Sequence, residues 1–201
     1  MLGRILHNRG LSHPSQAQAF LAHHYLLSRD PFQLADMDRA ADRIVRALRT
    51  GETIAVYGDF DADGVTATVL LTEALRAMAD ERRLVVPYIP DRVDEGYGIN
   101  QEALTTLRGK GVDLVISVDC GIRSPIEAAH ARAIGLDLII TDHHSLGREL
   151  PAAVAVINPK RDDSTYPERM LAGVGIAFKP VSYTHLDVYK RQRLESRHGR
   201  R

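Results

Sequence analysis

The chain has 201 residues, 44% of them hydrophobic and 26% charged, with one cysteine and a formal net charge of zero. This composition suits one soluble globular domain able to bury its own core, and the lone Cys120 excludes an internal disulfide and fits a reducing, cytoplasmic setting. Residues 1–10 carry no signal-type apolar core, and no apolar run approaches the roughly 18 residues of a membrane span, so no membrane association is expected.

In chain order, Ser15 to His24 and Asp36 to Arg49 have helix-compatible spacing, separated by Pro31, with Gly51 as a stop. Thr53 to Tyr57 is a short apolar run, Asp59 to Gly64 is rich in turn residues, and Val65 to Ala79 reads as a helix. Leu84 to Ile89 is strand-like; Pro87 within it argues for an edge position or a strand end. Asn100 can cap a helix running to about Arg108, and Leu114 to Val118 is a strand. Ser124-Pro125-Ile126-Glu127 reads as a capping box with proline at the first helical position, opening a helix that stops near Gly135. Leu136 to Ile140 and Val154 to Ile157 are further strands. Strands alternating with helices predict an α/β fold, a mainly parallel sheet flanked by helices, with a helical lead-in over residues 1–50 and the main domain over 51–180.

The last stretch fits neither period. Val181 to Gln192, followed by basic residues, closely resembles a translated sequencing-adapter read-through, so residues 181–201 are expected to be non-native. That tail holds six basic and two acidic residues; without it the body has 20 basic against 24 acidic, a net charge of −4. Net charge therefore offers no basic footprint for nucleic acid, and any such function must be argued from a site.

Three acidic groups are notable for their placement. Asp59, Asp61 and Asp63 follow the first strand, Asp119 follows the strand ending at Val118, and Asp142-His143-His144 follows the strand ending near Ile140. In an open parallel sheet ligands gather at the carboxyl ends of strands, so all three groups should converge. Crowded carboxylates repel unless a cation neutralises them, and carboxylates with imidazole suit Mn²⁺ or Mg²⁺. Two such ions can activate water and stabilise the attacking and leaving oxygens at phosphorus. A calcium loop counted from Asp59 would need glutamate at its twelfth position, where the chain has Leu70. Each group alone has a bland reading as a turn or cap; together, each at a strand end, they predict a metal centre. His23-His24 and His130 read as helix-surface residues.

At these residues the chain resembles the DHH phosphoesterase superfamily, and within it the RecJ-type single-stranded-DNA-specific exonucleases. The resemblance covers roughly residues 31–180 and rests on several motifs in order. They are Asp30-Pro31-Phe32 with Asp36-Met37-Asp38, Tyr57-Gly-Asp-Phe-Asp-Ala-Asp-Gly64, Pro90-Asp-Arg92 with Glu95-Gly-Tyr-Gly98, Ser117-Val-Asp-Cys-Gly121, Thr141-Asp-His-His144, Ile157-Asn-Pro159 and Leu171 to Phe178. The resemblance implies that Asp59 and Asp61 ligate metal directly, that Asp63 supports them or serves a second ion, and that Asp119 bridges two ions. It implies that His143 is a ligand, that His144 contacts the scissile phosphate, and that Asp142 orients its neighbours. Arg92, Glu95 and Tyr97 could line the substrate cleft, or their loop could be structural; Gly173 and Gly175 could approach phosphate or serve helix packing. Cys120 stands where relatives often have asparagine, and a small buried non-ligand role is expected.

The activity implied is hydrolysis of single-stranded DNA from the 5′ end, with Mn²⁺ or Mg²⁺ as cofactor and single-stranded DNA as partner; no motif speaks to oligomeric state. A cousin acting on short oligonucleotides, cyclic dinucleotides or pyrophosphate is the first alternative, and Ala55, where such cousins carry a histidine four residues before Asp59, argues against the last. A non-catalytic nucleic-acid-binding scaffold is the second, opposed by the retained Asp59, Asp61, Asp119 and His143. The family's next aspartate motif has no counterpart before Arg201, so the chain is expected to be an N-terminal fragment with weak or no nuclease activity alone.

Overall fold

The computed structural model describes residues 1–22, 30–81 and 84–182; His23, His24 and residues 183–201 lie outside the described residues. The chain divides into two compact units, Met1–Asp30 and Pro31–Arg201. The first unit holds α1 (Leu2–Asn8), which the sequence reading missed, and α2 (Pro14–Leu21), opened by a reciprocal cap between His13 and Gln16 with Pro14 at the first helical position. The second unit carries everything else.

Its first long helix, α3 (Met37–Thr50), starts at Asp36 and ends at Gly51, both in the left-handed region with φ of 60° and 69°. Glycine tolerates that conformation without a Cβ clash, which is why the predicted stop holds. Met37, Ala40, Ala41, Ile44 and Ala47 recur at helical spacing and are buried. A lead-in ending at residue 50 would leave this stripe outside the main domain, whereas the structure packs it into the main core.

Five parallel strands follow: β1 (Ile54–Tyr57), β2 (Val85–Tyr88), β3 (Leu114–Val118), β4 (Asp137–Thr141) and β5 (Ala155–Ile157), in the sheet order β2-β1-β3-β4-β5. The connecting helices are α4 (Ala62–Met78), α5 (Gln101–Gly109) and α6 (Pro125–Ala133), and residues 173–182 are helical. β1, β3 and β5 are buried along their whole length, so they read as continuous apolar runs rather than alternating ones. Alternate side chains still serve opposite faces. Ile54, Val56, Leu114 and Ile116 pack with α3 and α4, while Ala55, Tyr57 and Val115 pack with α5 and α6. The connection from β1 to β2 moves one way across the sheet and that from β3 to β4 the other, so their helices lie on opposite faces, as one hand of crossover requires.

Pro87 sits in the edge strand β2, opposite Val56, where its missing N–H breaks no inner ladder. The other edge, β5, is closed by side chains. Asp36 Oδ2 accepts from Val156 N at 3.1 Å and from Arg161 Nη1 at 2.7 Å, and Arg161 Nη1 also donates to Val156 O at 2.5 Å. This pair occupies the groups a sixth strand would use.

The order places β1 beside β3, the point at which the chain reverses its direction of travel across the sheet. The crevice beyond their carboxyl ends is where such sheets collect ligands. Among the described residues no helix is long and apolar enough to cross a membrane.

Candidate metal centre

The turn after β1 is short because it feeds α4 almost at once. Asp61 caps that helix, its Oδ1 accepting from Gly64 N at 2.9 Å. α4 therefore starts three residues before the predicted Val65. Gly64 permits this: a Cβ there would lie 2.5 Å from Asp59 Cβ. Asp59 is buried under the turn, with Oδ1 accepting from Phe60 N at 2.7 Å. Burial pushes its carboxyl above the ordinary range, the Phe60 N–H offsets part of that, and the charge of Asp61 adds to it.

Asp119 follows β3 with φ of 62°, a left-handed conformation that Asp accepts better than most residues. Its N–H reaches Thr141 O at 2.9 Å, and its side chain is 1% exposed. Burial, then the charges of Asp63 and Asp61, push its carboxyl from 3.8 up to about 7. His143 Nε2 lies 3.0 Å from Asp119 Oδ1, yet that buried oxygen has no hydrogen-bond partner. The two atoms are close without pointing a proton at one another, an arrangement that a shared cation satisfies.

Among the described residues, two sets of ligand atoms lie within 4.8 Å of one another: Asp59, Asp61 and Asp119, and Asp119, His143 and His144. Asp119 is common to both. Asp63 is in neither set. Its Oδ2 accepts from Gly173 N and its Oδ1 from Val174 N, each at 2.8 Å, so it caps the helix that begins at residue 173; it also lies 3.8 Å from His143 Nε2. Each carboxylate oxygen keeps a second lone pair, so this capping leaves Asp63 able to reach a cation. Gly173 is pressed against the centre: a Cβ there would lie 2.6 Å from Asp119 Oδ1.

Asp142 is buried and fully engaged. Its Oδ2 accepts from Ile122 N at 2.9 Å, and its Oδ1 accepts from His144 N at 2.9 Å and faces His144 Nδ1 at 2.7 Å. A carboxylate there makes Nδ1 the protonated nitrogen and leaves the Nε2 lone pair for a cation or a proton donor. Asn158 Nδ2 donates to His144 O at 3.0 Å, holding the same turn from the β5 side. Cys120 is wholly buried in the second core and its thiol is pushed well up by burial, then by Asp142; it belongs to neither ligand set.

Arg92 and Tyr97 stand on the rim. The Arg92 guanidinium lies 4.9 Å from the Phe60 ring centroid, Tyr97 meets Phe60 edge-on at 6.4 Å, and Tyr97 meets His144 edge-on at 6.4 Å. Phe60 was absent from the sequence reading of this rim, although its position between Asp59 and Asp61 was the available signal. A cavity of about 540 Å³ opens beside the rim, lined by Tyr97, Ile122, Arg123, Asp142 and His144 among others. The larger departure from the sequence reading is at α6: it begins at Pro125 as expected, but the Ser124 side chain makes no capping bond.

The profile of the DHH family, N-terminal domain, matches residues 53–197. The single-stranded-DNA-specific exonuclease RecJ of Bacillus subtilis is 44% identical over 179 residues, which are 89% of this chain and 22% of that protein. A crystal structure of exonuclease RecJ bound to manganese superposes with a TM-score of 0.67 at 36% identity, covering 77% of this chain and 38% of that one. RecJ of Thermus thermophilus in complex with Mn²⁺ gives a TM-score of 0.63 at 30% identity, over 86% and 25% respectively. The chain thus spans about a quarter of the length of such relatives.

Proposed function

The chain belongs to the DHH family, and from that premise we propose that the protein it forms is a metal-dependent exonuclease of single-stranded DNA, working from the 5′ end. The observation that carries the reading is Asp119: a buried carboxylate, shared by two ligand sets, whose Oδ1 lacks a partner. Asp59 and Asp61 on one side, and His143 on the other, are the residues that would hold Mn²⁺ or Mg²⁺ about Asp119, with Asp63 in support. The two solved RecJ relatives that hold manganese support a manganese site in this fold. When bound, the ions neutralise the carboxylates and activate water for attack on phosphorus.

The remaining residues act on the substrate side. Asp142 holds the orientation of the His144 ring, which on this reading turns toward the scissile phosphate. Arg92 offers charge to phosphate while Phe60 and Tyr97 offer faces and edges on which a base stacks. A row of one cation and two rings suits unpaired bases better than a closed duplex. A DNA substrate and the unpaired, buried Cys120 fit a cytoplasmic setting.

The test is digestion of 5′-labelled single-stranded DNA by the complete protein that carries this chain, with Mn²⁺ or with chelator. The reading expects mononucleotide release with Mn²⁺ only, little action on duplex, and a loss of about 100-fold or more in kcat for His144→Ala. Equal digestion of duplex, or full activity in chelator, contradicts it.

A further inference from the structure

The rim residues Arg92 and Tyr97 sit on a loop between β2 and α5 in which no regular element supplies backbone hydrogen bonds. Its first turn is closed locally by Glu95 N on Asp91 O at 2.9 Å and by Val93 N and Asp94 N on Asp91 Oδ1 at 2.8 and 3.1 Å, but these bonds do not tie it to the sheet, and ordering it there costs conformational entropy at each residue. Glu95 is the hub. Its Oε2 accepts from Tyr88 Oη at 2.5 Å and from Asn100 Nδ2 at 3.4 Å, and its Oε1 accepts from Asp91 N at 2.9 Å. Tyr88 belongs to β2, and its ring lies 5.1 Å from that of Tyr57, which is wholly buried in β1. Tyr57 Oη in turn donates to Gly98 O at 3.0 Å and accepts from Asn100 Nδ2 at 3.3 Å.

We propose that Glu95 is a positioning residue: through Tyr88 and Asn100 it anchors the 91–98 loop to the sheet and so sets Arg92 and Tyr97 against Phe60 for single-stranded DNA. The geometry supports this in two ways. Glu95 receives bonds from both ends of the loop, Asp91 before Arg92 and Asn100 after Tyr97, so one carboxylate closes the turn that carries both rim residues. The tyrosines give that carboxylate its base: Tyr57 is wholly buried, and the half-buried Tyr88 packs against it and against the core on the α5 face. Glu95 touches neither ligand set, so its role is separable from metal binding. The inference rests on the reading that the rim faces DNA.

The experiment uses the 201-residue chain and two readouts: hydrogen–deuterium exchange across the loop, and binding of a fluorescent oligothymidylate in chelator. Glu95→Ala and Tyr88→Phe should each speed exchange of residues 91–98 by about 10-fold or more, leaving β1 and β3 unchanged. Glu95→Ala should weaken DNA binding about 5- to 10-fold, close to the loss from Tyr97→Ala, with Glu95→Gln between it and the parent because one acceptor oxygen remains. The Glu95→Ala, Tyr97→Ala double variant should lose little more than either alone. Unchanged exchange in Glu95→Ala overturns the proposal. So does faster exchange with undiminished binding while Tyr97→Ala binds poorly. If Tyr97→Ala itself binds like the parent, the rim reading fails and the inference falls with it.

Discussion

Asp119→Asn should strip the centre of metal and yet stabilise the metal-free fold above neutral pH. In the folded chain burial and the neighbouring Asp63 and Asp61 raise the Asp119 carboxyl from 3.8 to about 7. The folded state therefore keeps a proton that the unfolded chain has already released. The metal-free fold is favoured by this group at low pH, and that advantage is lost as pH climbs from about 4 to about 7. The rise corresponds to a ceiling of about 4 kcal/mol. Asp61 is exposed and His144 is 44% exposed, so water screens one side of the cluster; a value of about 1–2 kcal/mol is expected. Asparagine keeps the shape and tolerates the φ of 62°, so the substitution removes charge without new strain. Thermal melts in chelator at about pH 4.5 and about pH 8 give the answer. At about pH 8 the variant should melt about 3–6 °C above the parent, and at about pH 4.5 most of that gap should close. Excess Mn²⁺ should raise the parent's midpoint and leave the variant's where it was. Equal melting points at the higher pH, or a gap that does not change with pH, would refute a strained, charged Asp119.

Three further outcomes follow from the packing around the centre. Gly173→Ala puts a Cβ 2.6 Å from Asp119 Oδ1, and Asp119 cannot retreat, so a loss of about 1–3 kcal/mol by chemical denaturation is expected, with weaker Mn²⁺ binding. Asp142→Ala frees both the Ile122 N–H and the His144 ring; metal affinity or activity should fall about 10- to 100-fold, and side-chain nitrogen spectra should show His144 averaging between tautomers. Arg161→Met leaves Asp36 and the carbonyl of Val156 without their buried partner, which should cost about 3–5 kcal/mol in urea unfolding.

Much of the fold was legible because the signals are local. The fully buried strands are unbroken apolar runs, Asn100 caps α5 through Ala103 N at 2.7 Å, and Gly51 stops α3. The convergence of Asp59, Asp119 and Asp142-His143-His144 was legible too, since strand ends in a parallel sheet lie on one edge. What failed was what depends on distant partners. The Asp-rich turn hides the first three residues of α4, because a helix cap and a loop look alike in sequence. The role of Asp63 as a cap for Gly173 and Val174 joins residues 110 and 111 positions apart, which no local period encodes. The apolar stripe of α3 packs into the main core, which helical spacing alone does not assign to one domain or another. Phe60 was passed over because the acids on either side dominate the segment; only folding sets it between Arg92 and Tyr97.

If these residues form one metal centre organised by Asp119, the chain binds Mn²⁺ through that carboxylate. Calorimetric titration of the chain with Mn²⁺ at about pH 7.5 tests it directly. Saturable binding to the parent, reduced at least about 100-fold in Asp119→Asn, is the result predicted. No binding to the parent, or equal affinity in the variant, would contradict it.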